Sequence, residues 1–206
     1  MTSTTSDNRF VRWWPPIGVL AMLLLGLLVG KSSTPIDDWF VRDAGGPVGG
    51  YTHWLLIFSE WWFLVPALAV CLAVALYQRR WRLAVVMLAC PLVAIEITWL
   101  LKRIFDREKD GALSYPSGHT TLMVTIMGMV VLIAAGRLWA VLPALTASLL
   151  GMVGLALTYH FLTDTIGAAL FATAMICIAA RIAGDPSQAL QRQAKPSRSG
   201  VDGQRS

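Results

Sequence analysis

The sequence predicts an all-α integral membrane protein, a bundle of six transmembrane helices. Three observations lead there. Of 206 residues, 56% are hydrophobic and only 14% charged, where an ordinary soluble domain carries about 25% charged residues. Several uninterrupted apolar runs approach the ~20 residues needed to cross the hydrocarbon core. No strand-like alternation competes with them, and backbone groups in lipid must be satisfied within the segment, which leaves helices as the spanning structure.

Hydropathy places the spans near 14–30, 54–77, 82–101, 120–136, 138–158 and 160–182. The first follows Arg9 and Arg12 and is followed by Lys31-Ser32-Ser33-Thr34-Pro35. No small-x-small cleavage site ends it, so it reads as a retained anchor rather than a removed leader. The second carries Glu60 ahead of Trp61 and Trp62. The third runs from the Arg79-Arg80-Trp81-Arg82 loop to Lys102 and Arg103, whose long side chains can reach the interface. Pro116-Ser117-Gly118 turns into the fourth, and little more than Gly136-Arg137 separates it from the fifth. The fifth and sixth meet around Thr158-Tyr159-His160. A single membrane domain over 14–184 is expected, with residues 1–13 as a short cytoplasmic amino terminus. The stretch 185–206, rich in Ser, Gln, Gly and Arg, is expected to be a disordered, basic cytoplasmic tail.

Cations set the expected orientation. With a cytoplasmic amino terminus, 11 of the 17 Lys and Arg residues fall on the inner side, as the positive-inside rule requires. Lys102, Arg103, Arg107 and Lys109 then sit outside, against that rule, and such an exception calls for a counter-anion or a function. Trp13, Trp14, Trp81 and Trp139 mark the inner ends of spans, with Trp39, Trp54 and Trp99 near the outer ends, an aromatic belt. Cys71, Cys90 and Cys177 lie inside apolar runs and fit no disulfide or zinc framework. The expected partners are membrane lipids, not nucleic acid.

The outer end also gathers the residues able to do chemistry. His119 begins the fourth span, where the first backbone N–H groups of a helix lack intrahelical partners and attract phosphate. Ser117 adds a hydroxyl as cap or ligand. His160 and Asp164 are four apart and so share one helix face. A carboxylate placed there can accept the imidazole N–H and stabilise the positive ring. An anion pocket, one histidine beside it and a second oriented by an aspartate suit phosphoryl transfer, which mostly requires positioning and charge neutralisation. Nothing in the pattern resembles a carboxylate cage for magnesium, so neither a metal nor another cofactor is expected. Glu60 and Glu96 are expected to pair structurally before they contact substrate, and His53 is expected at the interface.

"YPSGH" at 115–119 and "HFLTD" at 160–164 resemble the type 2 phosphatidic acid phosphatase (PAP2) superfamily, whose fold is of the haloperoxidase-like type. That family's pattern is K-x6-R-P, then P-S-G-H, then S-R-x5-H-x3-D. The second motif is complete at Pro116, Ser117, Gly118 and His119, and the third supplies His160 and Asp164. The first begins at Lys102, but its Arg-Pro falls on Lys109-Asp110, and Val153-Gly154 stand where the third motif has Ser-Arg. The resemblance implies that His160 is a nucleophile forming a phosphohistidine, Asp164 its orienting partner and His119 the general acid. It implies phosphate binding by Lys102, Ser117, Gly118 and one of Arg107 or Lys109. The expected activity is that of an outer-face lipid phosphatase acting on a polyprenyl diphosphate or a phosphatidate. A phosphotransferase, or a non-catalytic lipid-phosphate binding protein lacking the motif-3 arginine, is the alternative.

Overall fold

The computed structural model describes residues 4–184; the expected disordered tail, 185–206, lies outside the described residues. Eight α-helices and one small hairpin follow in order. They are α1 (Thr4–Val29), α2 (Pro35–Val48), α3 (Thr52–Leu56), α4 (Trp61–Tyr77), α5 (Trp81–Phe105), the strands β1 (Glu108–Lys109) and β2 (Ala112–Leu113), α6 (Gly118–Ile133), α7 (Leu138–Leu157) and α8 (Leu162–Ala183). Five segments are long and apolar enough to cross a membrane: Val11–Val29, Pro35–Tyr77, Trp81–Phe105, Leu138–Leu157 and Leu162–Ala183. The expected fourth span corresponds to α6, which has 16 residues and so reaches about 24 Å at the helical rise. It packs against α4, α5, α7 and α8. Neighbouring protein, rather than lipid, surrounds much of this short helix.

The connection between the first and second spans differs from expectation. Residues 31–53 fall between two expected spans, yet α2 forms there and is followed by single 3-10 turns on either side of α3. Thr34 caps α2 reciprocally: its hydroxyl accepts from the Asp37 N–H at 3.4 Å, and the Asp37 carboxylate accepts from the Thr34 N–H at 3.0 Å. This is a capping box with Pro35 in the first turn, a strong local start signal. The expected span 54–77 breaks at Glu60, whose backbone is extended (φ −77°, ψ 143°) and precedes α4.

Small residues let the bundle close. A Cβ added at Gly18 on α1 would lie 2.9 Å from the Leu170 carbonyl oxygen of α8, so these helices meet backbone to backbone, as small residues permit in membranes. Between α5 and α6 the hairpin turns on Asp110 and Gly111, both with positive φ (52° and 79°), the requirement of a two-residue type I′ turn. Its register pairs Lys109 with Ala112 and Glu108 with Leu113. The Tyr115–Pro116 peptide is cis, and Tyr115 is fully buried, its hydroxyl donating to the Met22 carbonyl of α1. One end of the bundle therefore collects the end of α1, α2, α3, the hairpin and the starts of α6 and α8.

Candidate active site

At that end lies a cavity of ≈ 600 Å³ whose wall includes Lys102, Lys109, Gly118, His119, Tyr159 and His160. Ile95, Trp99 and Leu122 continue the wall along α5 and α6, so its lower part is apolar. The His119 and His160 ring centroids are 6.2 Å apart, a gap that a tetrahedral phosphorus group can bridge. His160 is buried, and its Nδ1 is turned inward, 3.8 Å from Asp164 Oδ2. No hydrogen bond closes at that distance, and among the described residues Nδ1 has no hydrogen-bond partner. Asp164 is thus beside His160, as the spacing required, and His160 itself lies on the cavity wall.

Ser117 does not face the cavity wall. It is fully buried and caps α6, accepting from the Thr120 N–H at 3.3 Å. Its own N–H donates to the Asp164 carbonyl at 3.2 Å, which joins the two motif segments directly. Gly118 is the first residue of α6 and lies on the cavity wall, with a Cβ there meeting Ile95 at 3.3 Å. The N-terminal dipole of α6 points into the same space.

The two lysines are partly engaged by backbone. Lys102 Nζ donates to the Leu113 and Ser114 carbonyls. Lys109 Nζ donates to the carbonyls of His160, at 2.8 Å, and Thr158, at 3.2 Å, and lies over the Phe161 ring. Burial lowers the Lys109 pKa, and Asp110, Asp164 and Asp37 act in the opposite sense.

Arg107 departs from its expected place as a phosphate ligand. Its side chain is wholly buried and absent from the cavity wall. One terminal nitrogen donates to Asp164 Oδ1 at 2.7 Å and to Thr163 Oγ1 at 2.8 Å; the other donates to Asp37 Oδ2 at 2.9 Å and to the Ser32 carbonyl at 2.8 Å. Two carboxylates outcompete a cavity for this guanidinium because a fork matched to carboxylates inside the protein is a strong, directional interaction. The Phe161 ring covers it at 4.4 Å.

Asp37 is the residue that sequence reasoning missed. It accepts from Thr34, Arg107 and both the backbone N–H and hydroxyl of Thr163, the latter two at 2.9 and 3.0 Å to Oδ1. The available signal was the Thr34-Pro35-Ile36-Asp37 box, which announces a helix but not its long-range partners. Glu60 and Glu96 are both off the cavity wall, with Glu96 on the exposed face of α5. His53 is exposed beside Trp54.

The position of the absent motif-3 arginine is explained by packing. Gly154 on α7 is buried, and a Cβ there would lie 2.8 Å from Leu55 Cβ and 3.1 Å from the Leu55 backbone carbon of α3. Helix α3 occupies the space any side chain at 154 would need. Among the described residues, no arginine lies on the cavity wall.

No curated protein matches the sequence significantly. Among solved structures, the first transmembrane PAP2 type phosphatidylglycerolphosphate phosphatase from Bacillus subtilis is similar, with a TM-score of 0.66 and 16% identity. The match covers 90% of this chain and 100% of that one, and shows a shared fold. The profile of the PAP2 superfamily matches residues 97–187, a segment holding both histidines, Asp164, both cavity lysines and the buried arginine. The chain shares its fold with that transmembrane PAP2 type phosphatase, and its residues 97–187 match the PAP2 superfamily profile.

Proposed function

We propose that the protein is a lipid phosphatase that works through a phosphohistidine. The observation carrying this reading is the pair of imidazoles facing each other across one cavity that is cationic above and apolar below. His160 Nε2 attacks phosphorus while the bond to the lipid oxygen breaks, and His119 gives that oxygen its proton. Water then attacks the phosphohistidine, His119 takes back a proton, and the N–P bond breaks to release phosphate. Lys102, Lys109 and the first N–H groups of α6 neutralise the equatorial oxygens.

The cavity supports the substrate class. Ile95, Trp99 and Leu122 form a path for an apolar chain between α5 and α6, and the hairpin leaves little protein to read a large headgroup. A polyprenyl diphosphate or a phosphatidate fits. Cation distribution supports a site on the outer face with both termini cytoplasmic.

Purified protein given a polyprenyl diphosphate or phosphatidate is expected to release phosphate, and His160→Ala to abolish the release. Equal release by both proteins would end this reading. The wall without arginine favours a second reading, a binding protein for lipid phosphates. That protein would hold the lipid after His160→Ala and form no labelled phosphoenzyme. A lipid-to-acceptor phosphotransferase would share the phosphoenzyme and differ only in its dependence on an acceptor.

A further inference from the structure

Asp37 is a buried carboxylate that the phosphoryl-transfer chemistry itself does not use. It is 1% exposed and comes from α2, far in sequence from every motif. Its Oδ2 accepts from Arg107 at 2.9 Å, and its Oδ1 accepts from the Thr163 N–H at 2.9 Å. The Thr163 hydroxyl accepts from Arg107 at 2.8 Å and donates to Asp37 at 3.0 Å. Thr163 is the neighbour of Asp164, and Arg107 holds Asp164 Oδ1 at 2.7 Å. Asp164 Oδ2 meanwhile accepts from the Phe161 N–H at 3.0 Å and faces His160 Nδ1 at 3.8 Å.

The charges in this cluster do not cancel. Arg107 sits between two carboxylates, so the buried group of three carries one net negative charge. With Arg107 and Asp164 alone the cluster would be neutral and would offer little to an imidazole that must carry positive charge during transfer. Asp37 restores that offer by satisfying Arg107 from the far side. It also clamps the first turn of α8, since both its oxygens bind Thr163.

We propose that Asp37 is a positioning residue of the site, acting through Arg107 and Thr163 to fix and charge the Asp164 carboxylate that faces His160. This rests on His160 being the nucleophile, as read above. Other charged groups near His160 are Lys109 and Asp110 from the hairpin, Lys102 from α5 and His119 from α6. None of them touches Asp37 by hydrogen bond or ion pair.

The test uses the full chain in lipid nanodiscs with a polyprenyl diphosphate as substrate. Asp37→Asn keeps the shape and removes the charge. It is expected to lower kcat about ten- to a hundredfold with KM within about twofold. Asp37→Glu, which keeps the charge, is expected to recover part of the lost kcat with KM unchanged. Asp38→Asn, on the exposed face of α2, is the control and changes nothing. Wild-type kcat in Asp37→Asn, or a loss of folded protein with wild-type kcat in what remains, would overturn the proposal. If Asp37→Asn yields no folded protein, Thr163→Val decides: roughly tenfold lower kcat supports the relay, and unchanged kcat overturns it. A wild type without His160-dependent phosphate release overturns the phosphatase reading and this role together, whereas an active wild type with a silent Asp37→Asn overturns this role alone.

Discussion

Replacing Arg107 separates two accounts of a cation that family likeness assigns to phosphate. Arg107→Gln leaves Asp37 and Asp164 facing each other in the interior without the guanidinium that joins them. Removing one partner of a buried ion pair costs about 3–5 kcal/mol, because the remaining charge stays desolvated. Here two carboxylates are orphaned, one 0% and the other 1% exposed, which puts the cost at the upper part of that range. For a chain of this length each kcal/mol lowers Tm by roughly 2–4 °C, so a fall of roughly 10–20 °C is expected. The nine tryptophans make intrinsic fluorescence during heating a direct assay in detergent. Adding Asp37→Asn to Arg107→Gln removes one orphaned charge, and the double variant is expected to melt above the single one. A Tm within about 2 °C of wild type together with a tenfold rise in KM would refute the reasoning. That pattern would place the guanidinium on the substrate instead.

Restoring the family's arginine as Gly154→Arg is expected to reduce folded yield rather than raise activity, since even a Cβ meets Leu55 at 2.8 Å; size-exclusion chromatography of the purified protein checks it. Gly167→Ala places a methyl 2.4 Å from the Tyr115 hydroxyl, which is anchored to Met22. A loss of about 1–3 kcal/mol by overpacking is expected, read as a lower Tm. Burial holds the Lys109 pKa below the usual lysine value, so its charge is present below that lowered pKa and lost as pH rises through it. KM should therefore climb at a lower pH than an ordinary lysine would produce, and Lys109→Arg should remove the climb while altering phosphate geometry.

Much of the architecture was legible because long apolar runs have few alternatives in lipid. The start of α6 was legible because Ser117 is a capping residue, and the proximity of His160 and Asp164 because residues four apart share a helix face. Residues 35–60 were harder. Their apolar and aromatic content merges with the span that follows, and the break at Glu60 is a single extended residue. The fate of Arg107 was hidden for a different reason. Its position in a loop of cations advertised an anion, but the anions it found are Asp37 and Asp164, 70 and 57 residues away along the chain. Local pattern reports a charge and its neighbours; it carries no information on which distant carboxylate the fold brings up behind it.

The clasp around Arg107 also sets how small a working piece of this protein can be. The stretch that matches the family profile runs from 97 to 187, yet the guanidinium inside it is held from outside by Ser32 and Asp37, and Tyr115 is tethered to Met22. What matches as one block of sequence is therefore not a self-sufficient block of matter. An excised carboxy-terminal half would bury an arginine facing one carboxylate where it now faces two. Transplanting the motif segment into another scaffold would require carrying along a short amino-terminal helix that no motif mentions.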